Sequence, residues 1–357
     1  MERKFNFSAG PGVLPLEVLE EARAEMLCYK DAGASVMEIS HRSPQYTAIA
    51  ESARSLFKEL LGLSDDWSIL FLQGGASLQF YQVALNFLAG QPGADYLLTG
   101  AWAQGAYKAA QGVGNAHVAA SSEDKNYSFI PEQSSWNLSA DSAYLHVTSN
   151  NTIYGTQLQS DPSVGVPMIC DASSDFLSRP IEMDKYGLMY AGAQKNIGPA
   201  GATVVLVRSD FLERIPAGTP AILDYRTHAN KLYHTPPVFA VYIIEKVLRW
   251  IKSKGGLTHM HQLNNEKAGW VYQKIDASDF YRGVARTDSR SNMNITFRLP
   301  NEDLEGQFIK AAAAEGLMSL KGHRSAGGIR ASTYNACPPE AVKALVQFMN
   351  HFESTHG

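Results

Sequence analysis

Gly187-Leu-Met-Tyr-Ala-Gly-Ala-Gln-Lys195-Asn-Ile-Gly-Pro-Ala-Gly201 is the stretch around which the rest of the chain is organised. An apolar run, Leu188 to Tyr190, feeds small residues and then one lysine flanked by polar Gln194 and Asn196. Gly198, Pro199 and Gly201 follow, and a second apolar run spans Thr203 to Val207. A lysine between two expected strands, walled by small residues, is placed for close approach to a bulky planar ligand. Partial burial there favours the neutral, nucleophilic amine. Upstream, Val166-Pro-Met-Ile-Cys170 reads as a strand ending in Asp171, with Ala172-Ser173-Ser174 after it.

Taken singly, such a lysine is usually a solvated charge, and such an aspartate is often a helix cap. As a pair at the ends of successive strands they suit pyridoxal phosphate (PLP). The lysine would form the Schiff base and the carboxylate would face the pyridinium nitrogen.

The chain has 357 residues, enough for a large core and two domains. Its 45% hydrophobic and 18% charged composition is that of a soluble globular protein. A net charge of −4 with interspersed signs gives no electrostatic case for nucleic acid or a membrane surface. Met1-Glu-Arg-Lys-Phe lacks an apolar signal core, and no apolar run is long enough to span a bilayer. Cys28, Cys170 and Cys337 show neither a disulfide framework nor metal-ligand spacing, so no metal site is expected. A cytoplasmic location follows as the expectation.

Along the chain, Pro15 to Lys30 has helical spacing, with Val18, Leu19, Ala22, Met26 and Leu27 on one face. Pro44 fits the first turn of a second helix running to Leu61. Strands are expected at 67–72, 95–99, 115–119, 144–148, 166–170, 188–190 and 203–207, alternating with helices after Ser77 and Trp102. That alternation predicts an α/β fold with a mostly parallel sheet covered on both faces, its ligands at the carboxyl ends of the strands. Arg214 to Pro237 is long and weakly periodic, the kind of connection that is functional or interfacial. A strong helix from Pro236 to Lys254 ends at Gly255-Gly256, where the domain boundary is placed. Beyond it a smaller α+β domain is expected, with helices at 258–276, 301–314 and 338–353 and strands at 293–299, 316–320 and 328–333.

Gly74-Gly75-Ala76-Ser77, at a strand-to-helix turn, can offer backbone N–H groups to a phosphate, although a tight turn needs glycine anyway. Trp102 after a strand is either core or a platform for a flat ring. Lys321-Gly-His323-Arg324-Ser-Ala-Gly-Gly-Ile-Arg330 is either a solvated basic loop or a pocket for carboxylate and phosphate. His41-Arg42 is a second cationic pair. Together they imply a doubly anionic substrate.

Phe7-Ser-Ala-Gly-Pro-Gly12, His41-Arg42-Ser43, Phe71 to Phe80, Gly192 to Gly198 and Lys321 to Ser332 together resemble the phosphoserine aminotransferase family. These are class V, fold-type I PLP enzymes, and the likeness covers the whole chain. It implies a large PLP-binding domain (16–255) with a mostly parallel seven-stranded-type sheet, and a small domain (1–15 and 256–357). It implies that Lys195 carries the cofactor and moves a proton, that Asp171 keeps the pyridine nitrogen protonated, and that Trp102 stacks on the ring. Thr152 would bond the ring's polar edge, while Ala76, Ser77 and Gln194 would hold the phosphate. Thr235 would reach that phosphate from the neighbouring subunit of a homodimer. His234 stands where the family often has Asn, which leaves its contact in doubt. Other members also carry Arg near Ser77. Arg330 would bind the substrate α-carboxylate, and His323, Arg324, His41 and Arg42 the distal anion.

The implied reaction converts 3-phosphohydroxypyruvate and glutamate to O-phosphoserine and 2-oxoglutarate, with a side activity on 4-phosphooxy-threonine. A small-substrate aminotransferase, a cysteine desulfurase and a PLP-binding regulator are the rival readings. A desulfurase needs a mobile cysteine, and Cys337 beside Pro338 suits that poorly.

Overall fold

The computed structural model describes residues 3–357. Its centre is a seven-stranded sheet built from β1 (Trp67–Leu72), β2 (Gly93–Leu98), β3 (Ala116–Ser121), β4 (Ser142–Thr148), β5 (Met168–Asp171), β6 (Tyr186–Gly192) and β7 (Thr203–Arg208). The spatial order is β1-β7-β6-β5-β4-β2-β3. β7 runs antiparallel to both neighbours, and every other pairing in this sheet is parallel. Apart from the edge strand β3, which is only partly buried, the strands are buried on both faces, which is why they read as continuous apolar runs.

Helices cover each face. On one side lie α1 (Leu16–Glu25), α2 (Pro44–Leu61) and α5 (Val238–Ser253); on the other lie α3 (Gly75–Phe87) and α4 (Ala101–Gln111). α2 starts where the sequence signals it, with the Ser43 hydroxyl accepting from Tyr46 N–H at 3.2 Å and Pro44 at the first helical position. α1 is shorter than its periodicity implies. It stops at Glu25, only Val18 and Ala22 are buried, and Leu27 lies 88% exposed. Lys30 in the left-handed region, φ 49°, turns the chain away.

α6 (Gly256–Asp276) follows directly and reaches two cores. Leu257 and Met260 pack against the sheet's core, while Ala268, Val271 and Ile275 join a separate apolar cluster. β8 (Arg282–Gly283) pairs with β9 (Asn294–Arg298), and the second cluster is formed with β9, α7 (Glu302–Ala314), β10 (Ile329–Ser332) and α8 (Pro339–His356). Phe7 belongs to it as well, because Phe5–Asn6 pairs in parallel with Leu317–Met318. The start of the chain thus contributes a short strand to the second cluster's side of the molecule. The long segment at 214–237 holds a short helix, Tyr225–Asn230, capped by Asp224. Among the described residues no helix is long and apolar enough to cross a membrane.

The parallel strands β4, β5 and β6 are adjacent, with Thr148 opposite Asp171 and Asp171 opposite Tyr190. Their carboxyl ends thus deliver Thr152, Asp171 and Lys195 to one edge of the sheet.

Candidate active site

Lys195 lies in the turn between β6 and β7, half-buried, with its Nζ donating to Thr152 Oγ1 at 2.7 Å. The amine sits 5.6 Å from the centroid of the Trp102 ring, at the start of α4. Burial lowers its pKa, the Asp171 carboxylate opposes that, and the Arg330 guanidinium lowers it further. The net shift is toward the neutral form, the direction a nucleophilic lysine requires.

Asp171 is 4% exposed. Its Oδ1 accepts from Ser173 N–H at 3.0 Å and from the Ser173 hydroxyl at 2.6 Å. Burial raises its pKa, while Lys195 and these two hydrogen bonds hold it down. Oδ2 has no hydrogen bond among the described residues, so one carboxylate oxygen remains for a ring N–H.

Gly74, two residues past β1, caps α3 in the left-handed region, φ 86°, and Gly75 opens the helix at φ 65°. Such angles cost a non-glycine residue energy, and here they turn the first N–H groups of α3, those of Ala76 and Ser77, free of any side-chain cap. Gln194 is half-buried beside Lys195, and its carbonyl accepts from Gly12 N–H at 2.7 Å. A Cβ at Gly10 would lie 3.3 Å from Lys195 Cγ, so the N-terminal segment lies close along the lysine.

Arg330, on β10, donates to the Thr152 carbonyl at 3.4 Å and so stands beside the lysine's own partner. Burial lowers its pKa. The loop before it is tight: Gly322 N–H donates to Gly328 O at 2.8 Å, and Gly327 N–H to His323 O at 2.8 Å. His323 Nδ1 lies 2.7 Å from Ser325 Oγ, and burial with Arg330 and Arg324 nearby lowers its pKa. Arg324 is exposed.

Lys195, Thr152, Trp102, Asp171 and Arg330 therefore converge within one chain. His41 and His234 do not join them. They line a separate groove of about 610 Å³ with Arg54, Lys58, Trp67 and His228. Neither His234 ring nitrogen has a hydrogen-bond partner among the described residues, and its ring meets His228 edge-on at 5.0 Å. Burial, His228 and His41 lower its pKa. Arg42 and Thr235 are exposed, and the Thr235 carbonyl accepts from the Gln73 side chain at 3.3 Å, next to the Gly74 turn.

The structure adds residues that the motifs left unassigned. Ser173 is one, and its signal was available: an Asp followed two positions later by Ser is an Asx-turn pattern. Asn151 is another, donating to Thr99 Oγ1 and Thr156 Oγ1, both at 3.1 Å, so that the loop after β4 is fixed. Asn335 and Tyr334 reach the site from the second cluster: Asn335 N–H donates to Asn196 Oδ1 at 2.8 Å, and Tyr334 OH to Ala9 O at 2.6 Å. Cys337 is buried, and burial pushes its thiol up to about 11, which argues against a nucleophilic cysteine.

The donor set fits PLP. An amine of lowered pKa, a carboxylate with one oxygen left unbonded, an indole face and an uncapped helix start match its aldehyde, pyridine nitrogen, ring and phosphate. Among the described residues no cluster of His, Cys, Asp and Glu could hold a metal ion.

Comparison with known proteins points the same way. The family profile described as Aminotransferase class-V matches residues 4–345. The chain is 50% identical to a phosphoserine aminotransferase of Niallia circulans, over 100% of this chain and 99% of that one. It is likewise 50% identical to the one of Geobacillus kaustophilus, over 99% of each. Among solved structures, phosphoserine aminotransferase from Bacillus circulans subsp. alkalophilus superposes with a TM-score of 0.97 at 50% identity, covering 100% of both chains. A PLP-bound phosphoserine aminotransferase from Trichomonas vaginalis gives 0.94 at 41% identity, covering 98% of this chain and 100% of that one.

Proposed function

Because the chain belongs to the aminotransferase class-V family, we propose that its site carries out PLP-dependent transamination between 3-phosphohydroxypyruvate and L-glutamate, giving O-phospho-L-serine and 2-oxoglutarate in serine biosynthesis. The observation that carries this reading is the Lys195 amine, bonded to Thr152 beside the Trp102 face, with Asp171 and Arg330 as its charged neighbours. When bound, PLP supplies the electron sink that makes a substrate Cα–H acidic.

The chain's own residues then have definite tasks. Lys195 holds or releases a proton at Nζ, and burial, which lowers its pKa, eases the release. Thr152 fixes the direction of the amine. Asp171 offers Oδ2 as a charged acceptor for a ring N–H, Trp102 bounds the ring, and Ala76, Ser77 and Gln194 offer donors to a phosphate. Arg330 takes the substrate α-carboxylate in a bidentate grip. His323 and Arg324 receive the distal carboxylate of glutamate or the phosphate of the keto acid.

His41, Arg42, His234 and Thr235 are assigned to the site of a second subunit, in a homodimer whose active sites are completed across the interface. That His41 and His234 line a groove without Lys195 within one chain supports that assignment. Residues 16–255 act as the PLP-binding domain, and 1–15 with 256–357 as the second domain. A side activity on 4-phosphooxy-L-threonine and a cytoplasmic location belong to the same reading.

The test is an absorbance scan of the protein with PLP, then glutamate, then 3-phosphohydroxypyruvate, beside Lys195→Ala. The visible cofactor band has to disappear with glutamate and return with the keto acid, in wild type alone. If the band returns with glyoxylate and not with the phosphorylated keto acid, the substrate assignment falls. Without any lysine-dependent band the enzymatic reading falls too.

A further inference from the structure

Lys267 is the buried charged group that the mechanism leaves unused. It sits on α6, fully buried, one position before Ala268 of the second apolar cluster. No carboxylate pairs with it among the described residues. Its Nζ instead donates to three backbone carbonyls, those of Thr333 at 3.0 Å, Tyr334 at 2.8 Å and Cys337 at 3.1 Å. An ammonium has three N–H groups, and all three are used. Burying one without such partners costs several kcal/mol, so a lysine here is not interchangeable with a core side chain.

The carbonyls belong to one turn, Thr333 to Cys337, which leaves β10 three residues after Arg330. From that turn Asn335 makes three further contacts. Its N–H donates to Asn196 Oδ1 at 2.8 Å, its Nδ2 to Leu177 O at 2.8 Å, and its Oδ1 accepts from Asn264 Nδ2 at 2.7 Å. Asn196 is the residue after Lys195, and its own Nδ2 is tied to Phe176 O at 2.7 Å. Tyr334 adds its bond to Ala9 O, in the segment that lies along the lysine. One turn thus touches the Lys195 loop and the N-terminal segment while continuing the Arg330 strand.

We propose that Lys267 is a positioning residue for transamination: its ammonium gathers three carbonyls of the Thr333–Cys337 turn and thereby sets the Asn335–Asn196 contact that orients Lys195. The proposal rests on the functional reading above. It assigns Lys267 no contact with substrate or cofactor.

The test compares Lys267→Met, similar in length and uncharged, with Val271→Ala, a cavity one turn along the same helix, both in the PLP-loaded enzyme. Two readouts are taken below both melting temperatures. One is kcat/KM for glutamate; the other is the pH midpoint of the visible cofactor band, which reports the surroundings of Lys195. The expected result is a loss of about ten- to a hundredfold in kcat/KM, with a displaced midpoint, for K267M alone. A K267M enzyme that behaves like V271A on both readouts overturns the proposal.

If K267M does not accumulate as folded protein, Asn196→Ala decides, because it removes the Oδ1 that accepts the Asn335 backbone N–H while leaving Lys267 in place. N196A must then show the same two changes, and wild-type behaviour in N196A overturns the idea. Turnover of the wild-type enzyme with glutamate separately checks the functional reading. The spectral midpoint stays informative even if the substrate assignment is wrong.

Discussion

Gly12→Ala is a one-carbon perturbation aimed at the backbone of the catalytic lysine. A Cβ at position 12 would lie 2.6 Å from the Lys195 carbonyl oxygen and 2.8 Å from the Tyr334 ring. An ordinary contact begins near 3.4 Å, so about 0.8 Å of displacement is needed. Tyr334 is poorly able to supply it, being 1% exposed with its hydroxyl bonded to Ala9 O and Asn294. Gly12 cannot retreat without losing its own bond to Gln194 O at 2.7 Å. The Lys195 peptide has to move. Overpacking of this kind costs about 1–3 kcal/mol of stability, and a shift approaching 1 Å in a reacting group costs about a hundredfold in rate. G12A is therefore expected to lose about ten- to a hundredfold in kcat/KM for glutamate, with a lowered Tm. Gly165→Ala is the control, since a Cβ there meets nothing within 4 Å. Stopped-flow decay of the cofactor band gives the rate, and thermal unfolding gives the stability. A G12A enzyme with wild-type rate and Tm would refute the steric argument.

Asp171→Asn keeps the shape but removes the charge facing the ring, and kcat is expected to fall about a hundred- to a thousandfold in steady-state assays. Arg330→Lys loses the bidentate fork, so KM for glutamate should rise about tenfold or more while the fold is unchanged by circular dichroism. Asp161 is buried against Arg179, with contacts at 2.6 and 3.0 Å, and although burial raises its pKa, Arg179 brings it below the ordinary 3.8. Its stabilisation is thus complete above about pH 4 and is lost as pH falls through the lower native value. Asp161→Asn should cost about 3–5 kcal/mol at pH 7, by stranding Arg179, and denaturant titrations below pH 4 should show a shallower acid limb than wild type.

Much of this architecture was legible because its signals are local. The helices α2 and α5 follow from periodicity and from Pro44 and Gly255. The lysine turn follows from the small residues around Lys195. What stayed hidden depends on long-range pairing. Thr203–Arg208 is an apolar run like its neighbours, and nothing in such a run states that it returns antiparallel between β1 and β6. The end of α1 was misread because Met26 and Leu27 continue the apolar spacing, although the chain turns at Lys30 and leaves Leu27 exposed. Lys267 looks like any helix lysine in sequence, since its partners are backbone carbonyls of residues 333–337 and carbonyls carry no sequence signal. The site showed the opposite pattern. Lys195, Asp171 and Arg330 were visible as motifs, whereas Ser173, Asn196 and Asn335 are supporting polar groups defined only by what they touch.

The pairing of Phe5–Asn6 with Leu317–Met318 sets the order in which a ribosome could deliver a working enzyme. Leu317 lies 312 positions after Phe5. At about 5–20 residues per second, the first strand waits roughly 15–60 s for its partner to be synthesised. The segment carrying Gly10 and Gly12 cannot settle along Lys195 until then, although the central sheet is complete once Arg208 has emerged. The nascent chain therefore holds its reactive amine under an unfastened flap, which only a late-translated strand can close.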